Sequence, residues 1–174
     1  MKIIQGEEVY FLIEEVNRIN LSRDEFSIVF PLKPSSEEEK HDIKMACFLY
    51  EQDANAIHDG QKLKDIPSFS DDAVFPGPKS AYPALYLYSD GYHLLTYESA
   101  SNGIHRGKYI TTLADGELLL EWKITSVREE NEEHKDTSLN LWTNKKLCLV
   151  FVQDHNHNGI IDKGDMHKAY ITFP

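Results

Sequence analysis

The spacing of apolar residues near the N-terminus predicts a helix. Within residues 7–20 they recur every three or four positions, and four of the seven polar positions among them are glutamates. This spacing places the apolar side chains on one face of a helix. The apolar positions are Val9, Leu12, Ile13, Val16 and Ile19. Residues 25–32 then predict a strand at or near a sheet edge, since Pro31 has no backbone donor.

A second helix is predicted between Ser36 and Gly60. Ser36 and Glu39 have the spacing of a capping box, and glycine commonly follows the end of a helix. A stripe of apolar residues at helical spacing follows the cap: Ile43, Ala46, Cys47, Tyr50 and Ala54. A strand is the competing interpretation, because apolar residues also alternate at Ile43, Met45, Cys47 and Leu49. The cap and the length of the segment favour the helix.

Residues 57–83 lack hydrophobic periodicity and contain four of the seven prolines. A connection this long is uncommon in a compact domain, so it is either a functional lid or a wrap over the surface. The wrap is the favoured interpretation.

The remainder of the chain predicts β-structure. Two short apolar runs around Asp90-Gly91 indicate a hairpin, and strands are expected at residues 108–113, 117–127, 139–143, 146–153 and 168–173. The run LCLVFV is apolar on both faces, as in a central strand that is covered twice. We therefore expect an α+β fold, with a helical N-terminal third packed on a mainly antiparallel β-sheet or β-sandwich.

A length of 174 residues fits a single domain. Within it we distinguish a helical and strand part (1–60), the proline-rich connection (57–83) and a β-rich part (84–174). Eighteen basic and 29 acidic residues give a net charge of −11, which disfavours nucleic acid as a partner.

Glutamates interrupt the N-terminal apolar residues, and no apolar run reaches the ~18 residues of a membrane span. This predicts a cytoplasmic protein without a membrane span, or a secreted or surface protein if the chain lacks its export signal. Cys47 and Cys148 both lie in apolar segments, which favours two buried thiols over a disulfide.

One segment near the C-terminus has a pattern that indicates chemistry. Residues 154–165 read DHNHNGIIDKGD, with oxygen-bearing side chains at the first, third, fifth, ninth and twelfth positions. Gly159, at the sixth position, permits a sharp reversal of the chain. Calcium is bound by six to eight oxygens at about 2.3–2.6 Å, and alternate residues of a tight loop can supply them. Ile161 is expected to anchor the loop to the core.

This pattern resembles the calcium loop of EF-hands, and more closely the dockerin-type loop, whose twelfth residue is also Asp. The resemblance covers these 12 residues alone. It implies a Ca²⁺ bound by the backbone carbonyl of Ile160 and by five side chains: Asp154, Asn156, Asn158, Asp162 and Asp165.

Two features depart from the family pattern. Strand-like sequences flank the loop in place of helices, and Asp165 is shorter than the usual bidentate Glu. With only three acidic ligands we expect weak affinity, of the order of ~10⁻⁴ M. The alternatives are a polar turn without metal, or a transition-metal site formed by His155 and His157 with His167. Exposed polar side chains are the favoured interpretation of these histidines.

Several tyrosines cluster around the predicted 84–97 hairpin, and Tyr86 and Tyr88 share one face of a strand. An aromatic face can stack on a sugar, although tyrosines are also ordinary in a half-buried sheet. No sequence motif of a known catalytic site is evident, so an enzyme is disfavoured.

Three function classes therefore stand. The first is a non-catalytic, calcium-binding module with a protein or glycan partner. The second is an acidic inhibitor or immunity-type protein that masks a basic partner. The third is an enzyme whose site is assembled from loops.

Overall fold

The computed structural model describes residues 1–14, 16–32, 43–66, 69, 85–89, 92–93, 108–112, 118–129 and 137–174. Thirteen strands dominate these ranges, which also contain helix α1 (Glu51–Asn55) and a 3₁₀ turn (Leu63–Asp65). The strands are β1 (Lys2–Gln5), β2 (Glu8–Phe11), β3 (Val16–Asn20), β4 (Phe26–Leu32), β5 (Ile43–Phe48), β6 (Leu85–Ser89), β7 (Tyr92–His93), β8 (Lys108–Thr112), β9 (Leu118–Ile124), β10 (Ser126–Glu129), β11 (Thr137–Ser138), β12 (Lys146–Gln153) and β13 (Met166–Thr172). No helix in the described ranges has the length and apolar character needed to cross a membrane.

The strands form three sheets. The first sheet has the order β2-β1-β4-β9-β8, and its pairs are all antiparallel. The second sheet has the order β3-β13-β12-β5 and contains one parallel pair, between β3 and β13. The third sheet has the order β11-β10-β6-β7. This sheet-rich architecture is compatible with a β-sandwich.

The second sheet is covered on both faces. One face packs with the first sheet in a core that includes Ile3, Ile28, Leu149 and Phe151, and that Val127 of the third sheet joins. The opposite face forms a second core with residues 54–69. Strand β12 contributes Leu147, Leu149 and Phe151 to the first core and Cys148, Val150 and Val152 to the second. The prediction that LCLVFV is a central, twice-covered strand is therefore confirmed.

The predicted α+β fold with a helical N-terminal third is wrong, because the described structure is mostly β-sheet. Within residues 7–20, the segments Glu8–Phe11 and Val16–Asn20 are the strands β2 and β3. Gly6, at φ +59°, allows a two-residue turn that returns the chain from β1 into β2. Strand β3 then pairs in parallel with β13, from near the other end of the chain. The apparent helical stripe is not buried as a unit, because Val9 and Val16 are exposed whereas Leu12 and Ile19 are buried.

The predicted helix between Ser36 and Gly60 is wrong over residues 43–48, and within its described part only the five-residue helix α1 (Glu51–Asn55) is helical. The segment Ile43–Phe48 is strand β5, as in the competing interpretation. Its side chains alternate between the two cores, with Met45 and Cys47 in the first and Ala46 and Phe48 in the second. Burial on both sides produces an apolar run that also fits a helical stripe. Ser36 and Glu39 lie outside the described residues.

Residues 25–32 form a strand as predicted, but β4 is not at an edge, since it lies between β1 and β9. Pro31 is tolerated because the pairing with β1 ends at Val29, so no partner strand on that side requires its missing N–H. Residues 146–153 form β12 as predicted, and residues 139–143 form turns and loop rather than a strand.

The beginning of the predicted 57–83 connection wraps the second face of the second sheet. Ile57, Leu63, Ile66 and Phe69 are buried in the second core. The buried Lys168 of β13 donates a hydrogen bond from Nζ to the Ile57 carbonyl (2.7 Å). The described part of the connection therefore packs on the second sheet. Residues 67–68 and 70–83 lie outside the described residues, so the choice between wrap and lid for the whole connection stays a prediction.

We expect Cys47 and Cys148 to remain reduced thiols that react only after unfolding. The two side chains lie in different cores, on opposite faces of the second sheet, and both are buried thiols that form no disulfide. Burial raises the pKa of the Cys148 thiol to about 11, which leaves little reactive thiolate at neutral pH. Iodoacetamide labelling followed by mass spectrometry, in native buffer and in guanidinium, measures this. Rapid labelling of the native protein would contradict it.

Candidate metal centre

Residues 154–165 connect β12 to its antiparallel neighbour β13, so the candidate calcium loop is the turn of a β-hairpin. A hydrogen bond from the Gln153 N–H to the Asp165 carbonyl (2.9 Å) closes the loop at its base. The side chains at its two ends are buried, with Asp154 2% and Asp165 5% exposed. Buried carboxylates need compensating donors or a cation, and the loop supplies donors for both.

Asp154 organises the first half of the loop. Its Oδ1 accepts the Asn158 N–H (3.2 Å) and its Oδ2 accepts the Gly159 N–H (2.7 Å). Gly159 adopts φ +75°, a conformation that is strained for residues with a Cβ. The glycine at the sixth position is therefore required by the backbone, as the sequence pattern predicts.

Asp162 is the point on which the central side chains converge. Its Oδ2 accepts hydrogen bonds from the Nδ2 groups of Asn156 and Asn158, each at 2.8 Å. The Asp162 N–H in turn donates to Oδ2 of Asp165 (3.0 Å). Together with the bonds to Asp154, these contacts join all five predicted side-chain ligands in one hydrogen-bonded network.

The Ile160 carbonyl is directed toward the same side as the Asn158 side chain. Lys62 and Ile160 face each other in an isolated antiparallel bridge. The two hydrogen bonds of the bridge are made by their neighbours, from the Leu63 N–H to the Gly159 carbonyl and from the Ile161 N–H to the Gln61 carbonyl, each at 2.9 Å. The N–H and C=O of Ile160 therefore point away from Lys62, and the N–H meets Oδ1 of Asn158 (2.7 Å).

The donor set fits calcium in its chemistry. Three carboxylates, two amide oxygens and one backbone carbonyl are the hard oxygen ligands that Ca²⁺ prefers. The amide N–H groups of Asn156 and Asn158 carry partial positive charge and donate to the Asp162 carboxylate. A cation bound there would also neutralise the charge of this carboxylate. A half-turn of each amide exchanges its nitrogen for its oxygen without moving the backbone. This rotation would break the hydrogen bonds that the two amide oxygens accept from the N–H groups of Asn158 (3.2 Å) and Ile160 (2.7 Å), so a bound cation would have to compensate for their loss.

Ile161 anchors the loop as expected. Its side chain is fully buried in the second core. Its N–H and C=O pair with Gln61 and with the Gly60 N–H (2.8 Å), so the loop is also held through the backbone. Sequence analysis missed this partner segment, because residues 57–66 have no periodicity that would indicate it.

The histidines do not assemble around the loop. His155 and His157 are exposed, and Nδ1 of His167 donates to the Ile13 carbonyl (3.0 Å). Among the residues that the structure describes, no three His, Cys, Asp or Glu side chains form a group suited to a metal ion. Any calcium site must therefore be completed by the amide and carbonyl oxygens.

The tyrosines of the glycan hypothesis lie in the third sheet. Tyr86 and Tyr88 occupy alternate positions of β6, in register with Arg128 and Ser126 of β10. Their side chains fall outside the described part of the chain, so the glycan hypothesis stays a prediction.

Comparisons of the chain with protein-family models, curated proteins and solved structures give no match. Its function must therefore be argued from its own residues. The hairpin loop is the group of described side chains with the most specific arrangement.

Proposed function

We propose that the protein is a calcium-binding, non-catalytic interaction module in which one Ca²⁺ has a structural role in the 154–165 loop. The observation that carries the proposal is the convergence of Asn156 and Asn158 on the Asp162 carboxylate, between the buried carboxylates of Asp154 and Asp165. The same five side chains bond to one another and to backbone N–H groups of the loop, which holds their oxygens close together.

The ion would supply charge neutralisation. Three carboxylates lie within one short loop, and their mutual repulsion is reduced when a divalent cation is bound. The loop packs on residues 60–63 through its backbone and on the second core through Ile161. Stabilising the loop therefore stabilises the β12–β13 hairpin and the segment that covers the second sheet.

The proposal is tested by thermal unfolding of chelator-treated protein with and without about 2 mM Ca²⁺. A dissociation constant near ~10⁻⁴ M predicts about 1.8 kcal/mol of added stability. For a domain of this size the expected rise in Tm is about 4–7 °C. Asp162→Asn keeps an acceptor oxygen for the two amides but removes a charged ligand, so its calcium-dependent shift should disappear.

Asp24→Asn is the matched control. Asp24 is an exposed aspartate in the turn before β4, and its replacement by Asn changes the net charge by the same amount as Asp162→Asn. It should retain the full calcium shift. Equal shifts for Asp162→Asn and Asp24→Asn, or no shift in the unaltered protein, would contradict the proposal and leave the loop a polar turn.

A further inference from the structure

The apolar side chains most exposed to solvent are concentrated in one stretch of chain. Of the six large hydrophobic residues that are exposed in the described part, four lie within residues 9–16. We call these four the edge strip: Val9 (45% exposed), Phe11 (74%), Ile13 (60%) and Val16 (42%). Exposed apolar residues that lie close together are typical of an interaction site, and these four fall within eight residues of chain.

The edge strip joins the free edges of two sheets. Strand β2 is the last strand of the first sheet, and β3 is the last strand of the second, among the strands described. Exposed sheet edges commonly accept an additional strand from a partner. Val9 and Phe11 of β2 and Val16 of β3 thus combine exposed apolar side chains with an edge position in their sheets.

The backbone of β2 has unused hydrogen-bonding groups on this side. In an antiparallel pair of strands, hydrogen-bonded and non-hydrogen-bonded residue pairs alternate. The Leu12 N–H donates to the Met1 carbonyl (3.1 Å), so Met1 and Leu12 form a hydrogen-bonded pair and the neighbouring pair, Lys2 and Phe11, is not hydrogen-bonded. By that alternation Tyr10 bonds to Ile3, whereas the N–H and C=O groups of Val9 and Phe11 point outward. No described residue bonds to them there.

The corner between the two strands is held rigidly. The Asn17 side chain accepts the Ile13 N–H (2.9 Å) and donates to the Ile13 carbonyl (3.0 Å), and it also donates to the Lys168 carbonyl (3.0 Å). His167 adds a further bond to the Ile13 carbonyl. The backbone of Ile13 is therefore held in place, which lowers the entropic cost of ordering this segment on binding.

The charge around the edge strip favours a basic partner. Residues 7–17 contain four glutamates and no lysine or arginine. Three described cations lie near the strip. Lys2 Nζ is 5.9 Å from the centre of the Phe11 ring. Arg18 of β3 forms an ion pair with Glu51, and Lys168, in register with Val16, is buried and donates to the Ile57 carbonyl. A second copy of this chain is disfavoured, because both copies carry a net charge of −11 and would bring these glutamates together.

We propose that the edge strip binds an extended, lysine- or arginine-rich segment of a protein partner, which adds to β2 as a new strand. Outward backbone groups of Val9 and Phe11 would pair with that strand, and Phe11 and Ile13 would contact its apolar side chains. The inference rests on the interaction-module part of the proposed function and is independent of the calcium site.

The test is fluorescence anisotropy with a labelled peptide of about ten alternating lysine and valine residues, long enough for one strand. The measurement is made in chelator, below the melting transition, so its failure is distinguishable from failure of the calcium site. Phe11→Ser should weaken binding by about tenfold or more, as expected for an aromatic anchor. Val9→Pro, which removes an outward N–H but no bond to β1, should weaken it similarly.

Leu141→Ser is the matched control for Phe11, because Leu141 is 70% exposed and lies outside the edge strip. It should bind the peptide within about twofold of the unaltered protein, since isolated surface substitutions have small effects. Circular dichroism verifies that the variants are folded. A second pair of variants tests the role of charge. Glu7→Gln removes a negative charge next to β2 and should weaken binding of the peptide more than the control Asp65→Asn, which removes one in the 3₁₀ turn.

Three results would overturn the proposal. The labelled peptide does not bind, Phe11→Ser and Leu141→Ser weaken its binding equally, or a peptide with glutamate in place of lysine binds with the same affinity. Light scattering provides a further test. A dimer that Phe11→Ser dissociates would also overturn it, because the edge strip would then be an interface between copies of this chain.

Discussion

Replacing Ile161 with alanine will destabilise the protein by about 2–5 kcal/mol, the range for truncating a fully buried isoleucine. The side chain is 0% exposed and packs in the second core. Its loss leaves a cavity where the hairpin loop meets the residues that cover the second sheet. Urea unfolding monitored by tryptophan fluorescence, carried out in chelator, measures the change in the free energy of unfolding.

The neighbouring residue provides the control. Ile160 is partly exposed and is proposed to bind calcium through its backbone carbonyl, which alanine retains. Ile160→Ala should therefore cost less than about 1 kcal/mol, as for most substitutions away from the core. If the two variants lost similar stability, the loop would not be anchored through Ile161.

Strand β12 and the loop that follows it were predicted because their patterns are local. The apolar run LCLVFV reflects burial on both faces, which its central position in the second sheet requires. The loop pattern depends on chain geometry within 12 residues, where Gly159 must adopt a positive φ and Asp154 must accept nearby N–H groups. Neither feature needs information from elsewhere in the chain.

The N-terminal strands were not predicted because distant partners determine β1 and β3, and among the strands described β2 pairs with β1 alone. Ile19 pairs in register with Ile171, and Ile3 with Ile28 of β4. Helical spacing within residues 7–20 carries no information about these partners, and tertiary pairing overrides local propensity. Strand β5 was mistaken for a helix for a related reason, since burial of both faces removes the alternation that distinguishes a strand.

The surroundings of the candidate site were also beyond prediction. Gly60 and Gln61 hold the loop through backbone bonds, which are independent of side-chain identity. Three residues of the edge strip, Val9, Ile13 and Val16, were assigned to the apolar face of a helix, and the fourth, Phe11, was not assigned to any face. Which apolar residues stay exposed depends on where a sheet ends, and that follows only from the order of strands.

Asp154→Ala should lose stability in two separable parts. The Asp154 carboxylate is buried and accepts the N–H groups of Asn158 and Gly159. Without it these donors lack their acceptor, which should cost about 1–3 kcal/mol in chelator. In about 2 mM Ca²⁺ the difference from the unaltered protein should grow by about 1.8 kcal/mol, because a ligand is also lost. Paired unfolding curves with and without calcium measure both parts.

The two parts are distinguished by comparison with Asp162→Asn. That variant keeps an oxygen that can accept the amide N–H groups of Asn156 and Asn158, so it should lose only the calcium-dependent part. Such a contrast requires Asp154 to be both a structural acceptor and a calcium ligand, whereas Asp162 acts mainly as a charged ligand. If Asp154→Ala cost the same stability with and without calcium, its carboxylate would serve the backbone alone. The hairpin turn would then be stabilised by its own amides, and calcium would have no structural role there.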